Sequence, residues 1–365
     1  MTTLVLHIGS PKTGSSAIQS AIRPQRWRRR SDAWCVLPSN PYRQPEPAGC
    51  IAALYQSPDD LPRVWAQRRQ ANPHRFERDT ARYRQLLARR LQPRWRSKPR
   101  AVFLSSEYLW AFSADLIEQL RRDWLDLGVS RCLVVAYVRS PVSLYRSALQ
   151  QHARLSTNFR RFRPQRWTYR FRQRLEAWRT VFGEALIVRP FDRTQLHQGC
   201  VVQDLCETID GQLTDCAPMP FGRAPVGVNE SVRAEALIAM QELMQRFPAR
   251  SADGTWRRSQ ALWATWNRLT RLQARDPALG TPVAIAPAAE ALIHARHQED
   301  LDWLADTFAV HLPAPDSASS SAVEPLPADR WPDTVPLNDL LDLQMQQPWL
   351  AALRKELLRC SLPAD

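Results

Sequence analysis

The chain has 365 residues, with 50 Lys+Arg against 36 Asp+Glu and a formal net charge of +14. Hydrophobic residues make up 44% and charged residues 24%, which excludes a disordered chain, a collagen and a disulfide-rich miniprotein. No apolar run reaches the roughly 18 residues a membrane span needs, and the length suffices for one large α/β domain with or without a helical appendix.

Thr3–Ile8 reads as a first strand. The chain enters it without the charged and apolar regions of a secretion signal, so a cytoplasmic location is expected. Residues 23–100 form an Arg- and Pro-rich insertion; its 23–75 part has weak periodicity and reads as a surface segment. Arg78–Leu91 has helical spacing, Ala101–Leu104 reads as a second strand, and Asp115–Leu127 as a helix. Cys132–Val138 predicts a third strand, Val142–Leu155 and Tyr169–Phe182 two helices, and Ala185–Val188 a fourth strand. Ala236, Met240, Leu243, Met244 and Phe247 mark one face of a helix, and Pro287–Phe308 predicts another. Short β-branched strands alternating with helices predict an α/β fold: a P-loop-type, mostly parallel sheet flanked by helices, occupying 1–311. Residues 312–336 are rich in Pro, Ser and Ala and read as a linker. Within 337–365, Leu337, Leu340 and Leu341, then Leu350, Leu353 and Leu357, predict a helical C-terminal extension interrupted at Pro348. That tail needs a surface to pack on, either its own domain or a second copy of the chain.

The charge is unevenly spread. Residues 23–100 carry a net +13, 139–179 a net +10 and 180–365 a net −8. Only Lys12, Lys98 and Lys355 are lysines, so 47 of the basic residues are arginines. A coding bias towards arginine explains that ratio but not the asymmetry, which gives the first half an attraction for anions. The seven cysteines contain no CxxC pair and are expected as reduced thiols. His294 and His297 lie three apart, as two metal ligands on a helix would, yet no third ligand stands at a defined spacing. A solvated helix face is expected there, and no metal.

The sharpest signal is the run from His7 to Gln19, in which a strand passes through a tight turn into a helix. Amides at a helix start lack intrahelical acceptors, and the positive end of the helix dipole makes the turn an anion site. Gly14 permits close backbone approach, Ser15 and Ser16 add hydroxyl donors, and Lys12 supplies a compact charge. Gly9 and Gly14 have the Walker A separation, but Ser15 rather than lysine follows Gly14. Nor does a strand-borne aspartate stand ready to hold magnesium.

Pro11-Lys12-Thr13-Gly14-Ser15-Ser16 resembles the 5′-phosphosulfate loop of the sulfotransferase superfamily. A second fragment strengthens the resemblance: the strand Val134–Val138, then Arg139, with Ser147 eight residues later. These match the family's 3′-phosphate motif, and Ser105-Ser106-Glu107, Trp178–Pro190 and Val228–Ser231 are similar to bacterial carbohydrate-type members. The likeness covers about residues 1–250. It implies transfer of a sulfuryl group from 3′-phosphoadenosine 5′-phosphosulfate (PAPS) to a hydroxyl of a carbohydrate or glycolipid. Lys12, Thr13, Gly14, Ser15, Ser16, Arg139 and Ser147 would bind the cosubstrate, with Lys12 also stabilising the leaving phosphate. A planar guanidinium suits a phosphate grip, although Arg139 capping its strand or pairing with an acid is the plainer alternative.

Glu107 is the candidate base, since it follows the second strand at the edge where the turn emerges. Carbohydrate sulfotransferases commonly use a glutamate for this. The plainer alternative is a helix capped by Ser105 or Ser106, with the Glu107 carboxylate favouring its start. His152 and His7 are fallback bases, read respectively as a helix-surface residue and a satisfied core histidine. Arginines interleave with Trp27, Trp34, Trp65, Trp95, Trp167, Tyr169 and Phe171, which suits sugars and acidic polysaccharides; a solvated Arg-rich face over buried tryptophans is the plainer alternative. No nucleic-acid motif accompanies the charge. A P-loop kinase or other phosphotransferase and a non-catalytic polyanion-binding protein are the competing readings.

Overall fold

The computed structural model describes residues 1–22, 34–37, 49–91, 99–154, 156–221, 232–246, 266–269, 280–314, 337–342 and 347–359. Trp27, Trp95, the Val228–Ser231 fragment and most of the expected linker lie outside them. The elements run β1 (Thr3–His7), α1 (Ser15–Ile22), β2 (Trp34–Val36), α2 (Gly49–Tyr55), α3 (Arg63–Ala71), α4 (Pro73–Leu91) and β3 (Ala101–Ser105). A 3-10 turn (Glu107–Ala111), α5 (Ala114–Asp126), β4 (Arg131–Val138), α6 (Pro141–Ala153), α7 (Phe171–Phe182), β5 (Leu186–Pro190), α8 (Val201–Gln212) and α9 (Ala234–Arg246) follow. The last are β6 (Ala284–Ile285), α10 (Pro287–Ala295), α11 (Gln298–Phe308), α12 (Leu337–Leu340), β7 (Leu341–Asp342) and α13 (Gln347–Arg359).

These elements fall into two compact units. The first comprises 1–139, 170–228 and 300–312. Its centre is a five-stranded sheet, all parallel, in the order β2-β3-β1-β4-β5. The inner strands are near-continuous apolar runs because both faces are covered, as parallel sheets require. Leu4, Val5, Leu6, Phe103, Val134 and Val135 are all completely buried. On one face, Val5, Phe103 and Val135 pack with Ile18 of α1 and with Val202 and Leu205 of α8. In-register pairing puts His7 opposite Ser105 on one side and Val135 on the other. From β1 the chain reaches β3 on one flank, and from β3 it crosses to β4 on the other. The carboxyl ends of β1 and β4 therefore flank the point where the winding direction changes, which is where such sheets bind ligands.

The second unit comprises 140–169, 229–299 and 313–365. Its apolar core combines Tyr145 and Leu149 of α6, Leu237 and Met240 of α9, Ile293 of α10, and Leu340, Leu350 and Leu353. β6 pairs antiparallel with β7, and the Ala286 amide donates to Leu340 O at 3.1 Å. Residues 337–342 and 347–359, expected as a separate tail, are thus built into this unit's core. α13 lies against α9, with Arg354 bound to Glu242. Pro348 sits in the first turn of α13 instead of interrupting a helix, a position where its missing N–H costs nothing.

Three further expectations are corrected. The 23–75 segment, expected as a surface insertion of weak periodicity, contributes β2 to the sheet edge and holds α2 and α3. Pro287–Phe308 is two helices with a break at Arg296-His297. His297 is buried, its Nδ1 donating to Ile293 O at 2.7 Å and its Nε2 accepting from the Tyr169 amide at 2.8 Å, so it is not part of a solvated face. Among the described residues, no helix is long and apolar enough to cross a membrane, and no three His, Cys, Asp or Glu side chains are grouped to hold a metal.

Candidate functional site

After β1 the chain makes a turn that only an unusual backbone allows. Gly9, Lys12 and Gly14 all have positive φ, at 42°, 68° and 83°. For Lys12 this left-handed conformation is strained by about 1–2 kcal/mol, and strain of this kind collects where a loop has a task other than stability. Hydrogen bonds brace the turn. Thr13 is completely buried and donates its hydroxyl to Ser10 O at 2.6 Å, and Arg139 Nη1 donates to Lys12 O at 3.2 Å. The Thr13 hydroxyl proton is therefore engaged inside the turn. Helix α1 then starts at Ser15, with the Ala17 and Ile18 amides both directed at Gly14 O. Its first turn contains no acidic residue, so the helix offers its positive end without an internal counter-charge.

Glycine at 14 is dictated by contact as well as by φ. A Cβ there would stand 2.8 Å from Val201 Cγ1 and 2.9 Å from Phe191 Cε2. Phe191 follows β5, and its ring also lies under the Arg139 guanidinium at 5.5 Å. Arg139, Lys12, Gly14 and Phe191 thus form one cluster, drawn from the carboxyl ends of β1, β4 and β5. Phe191 and Val201 carry no sequence signal of their own; only the register of β5 beside β4 identifies them.

Behind this cluster lies a buried polar network. Asp204 of α8 accepts from Tyr137 Oη at 2.8 Å, from Arg189 Nη2 at 2.6 Å and from the His197 amide at 3.0 Å. Burial works against its charged form, but these donors, Arg189 foremost, outweigh it and hold the carboxyl below the usual range. They also tie α8 to β4 and β5, which fixes Val201 against the turn.

Glu107 opens the 3-10 turn directly after β3 and is half-buried. The Ser106 amide donates to His7 O at 2.9 Å, so this segment runs beside the end of β1. Ser106 stands at the cap position but its side chain makes no capping bond. Ser105 Oγ is instead 2.8 Å from His7 Nδ1. Ser15 is almost wholly buried, Ser16 is exposed, and Lys12 and Gly14 are intermediate. Ser147 is half-buried on α6, whose start is capped by the Ser140 hydroxyl, and α6 belongs to the second unit.

His152, the fallback base, has both ring nitrogens engaged: Nε2 with Asn158 O and Nδ1 with Arg161 Nη2, each at 2.6 Å. The lone pair a base needs is thus covered by a guanidinium. Among the described residues, three of the aromatic platforms expected for sugars are internal, and Trp167 and Tyr169 are half-buried. Trp34 is buried and donates to Ala217 O, Trp65 is buried beneath Arg68, and Phe171 is completely buried. Comparison with protein-family models, with curated proteins and with solved structures returns no match.

Proposed function

We propose that the chain is a PAPS-dependent sulfotransferase acting on a hydroxyl of a carbohydrate or glycolipid. The observation that carries this reading is the bond from Arg139 to the Lys12 carbonyl. It joins the two fragments that resemble the sulfotransferase phosphate motifs, which are 127 residues apart in sequence. The glycine cradle and the acid-free start of α1 fit a phosphate group. The P-loop-type character of the sheet belongs to this same reading.

In the reaction, the acceptor oxygen attacks sulfur, its proton passes to the Glu107 carboxylate, and the bond from sulfur to the 5′-phosphate oxygen breaks. Lys12 stabilises the charge that develops on that oxygen, and the turn's amides hold the phosphate in place. Arg139 grips the 3′-phosphate that separates PAPS from ATP. The part of Ser147 rests on the resemblance alone.

The test supplies sulfur-labelled PAPS, and separately γ-phosphate-labelled ATP, with a panel of oligosaccharides and glycolipids. Label transferred from PAPS without added magnesium supports the proposal. Transfer of the ATP phosphoryl group, with PAPS left intact, overturns it in favour of a phosphotransferase.

A further inference from the structure

Two buried polar atoms of the first unit have no hydrogen-bond partner and meet beside one glycine. His7 is completely buried and its Nε2 is unpaired; Ser15 is 3% exposed and its Oγ is unpaired. A methyl group built on Gly9 would stand 2.7 Å from Ser15 Oγ, 3.1 Å from His7 Cε1 and 3.4 Å from His7 Nε2. Leaving a buried polar atom unpaired is unfavourable, and two meeting beside one glycine call for a small polar group that pairs with both. Ser15 opens α1 at its positive end, and His7 leads into a turn whose backbone bends through left-handed Gly9, Lys12 and Gly14. An anion's oxygen suits such a place.

We propose that His7 is an anion-binding residue. The Ser105 hydroxyl donates to Nδ1, which leaves the imidazole proton on Nε2. That N–H, together with the Ser15 hydroxyl, donates to one oxygen of the phosphate or sulfate group held by the turn between Gly9 and Ser16. The reading of His7 as a satisfied core histidine holds only for its Nδ1 side. Burial pushes the ring's pKa down to about 3, so near neutral pH it donates as an uncharged group. Its other neighbour, the Tyr137 ring at 5.9 Å, holds the imidazole edge-on. The inference rests on the sulfotransferase reading only for the identity of the anion, the 5′-phosphate of the nucleotide.

Two substitutions separate the halves of the ring. His7→Asn keeps an acceptor near the Nδ1 position and removes the distal donor, whereas His7→Gln restores a donor at the distal position. Calorimetric titrations with 3′-phosphoadenosine 5′-phosphate and with ATP are run on both variants and on the wild type. The expected result is binding weakened roughly 10- to 100-fold in His7→Asn, the loss typical of a hydrogen bond to a charged group, and restored to within about threefold in His7→Gln. Nitrogen-15 spectra of imidazole-labelled wild type should show His7 protonated at Nε2, with that signal moving on saturation. These spectra decide alone if His7→Asn fails to fold. Unchanged affinity in a folded His7→Asn variant, or a proton on Nδ1, overturns the inference. Binding of ATP alone, weakened in His7→Asn, removes the sulfotransferase reading and keeps the inference. Binding of the bisphosphate, indifferent to His7, does the reverse, and binding of neither overturns both.

Discussion

Arg139 hydrogen-bonds the backbone carbonyl of Lys12 while its guanidinium lies over the Phe191 ring. One side chain thereby fixes the peptide of a strained residue, and it does so from the end of the neighbouring strand. Arg139→Ala should weaken binding of 3′-phosphoadenosine 5′-phosphate by about 10- to 100-fold, through loss of both the charge and the brace. Arg139→Lys keeps the charge without the planar fork and should recover only part of the affinity. Equal affinities of wild type and Arg139→Ala by calorimetry would remove Arg139 from the site.

The left-handed backbone at Lys12 makes an unusual ordering of variants. At most positions glycine is less stable than alanine, by about 0.5–1 kcal/mol within a helix or strand. At 12, where φ is 68°, Lys12→Gly should be more stable than Lys12→Ala by about 1 kcal/mol, while both lose anion affinity alike. Urea titrations of the two variants check this, and the ordinary order would mean the turn is not left-handed there.

Gly14 and Gly128 form a matched pair. Both have positive φ, but a Cβ at 14 collides with Val201 and Phe191, whereas at 128 nothing lies within 4 Å. Gly14→Ala should cost about 2–4 kcal/mol, combining strain and overpacking, and Gly128→Ala only about 1. Denaturant midpoints of the two variants measure the difference; equal losses would sink the cradle as described.

His7 contributes a stability term whose sign follows from its burial. Its pKa falls from 6.5 to about 3 on folding, so between those values the unfolded chain is protonated and the folded chain is not. The contribution is fully present above about pH 6.5 and is lost as pH falls towards 3, at about 1.4 kcal/mol per pH unit. From pH 7 to 5 the wild type should therefore lose about 2 kcal/mol more than His7→Gln. Parallel pH dependences in chemical denaturation would show that His7 titrates normally.

The inner sheet was legible because parallel strands buried on both faces must be apolar throughout. Thr3–Ile8, Cys132–Val138 and their neighbours announce themselves, and with them the edge bearing the turn, Glu107 and Arg139. β2 was not, since Trp34–Val36 is three residues long and flanked by Arg- and Pro-rich sequence without periodicity. Its tryptophan looked like a sugar platform yet is drawn inward by a bond to Ala217 O at 2.6 Å, a partner 183 residues away. The same non-locality hid Phe191 and Val201, which matter only because β5 lies beside β4. The leucines of the tail showed an apolar face without showing what it packs on; that Leu350 and Leu353 share a core with α9 is a tertiary fact that no local pattern carries.

On the proposed reading, the turn and Arg139 together select a nucleotide bearing a 3′-phosphate. Calorimetric titration of the magnesium-free protein with 3′-phosphoadenosine 5′-phosphate and with ATP tests it most directly. We predict saturable one-to-one binding of the bisphosphate, at least about 10-fold tighter than ATP and abolished by combining Lys12→Ala with Arg139→Ala. Tighter binding of ATP, or bisphosphate binding indifferent to both substitutions, would contradict it.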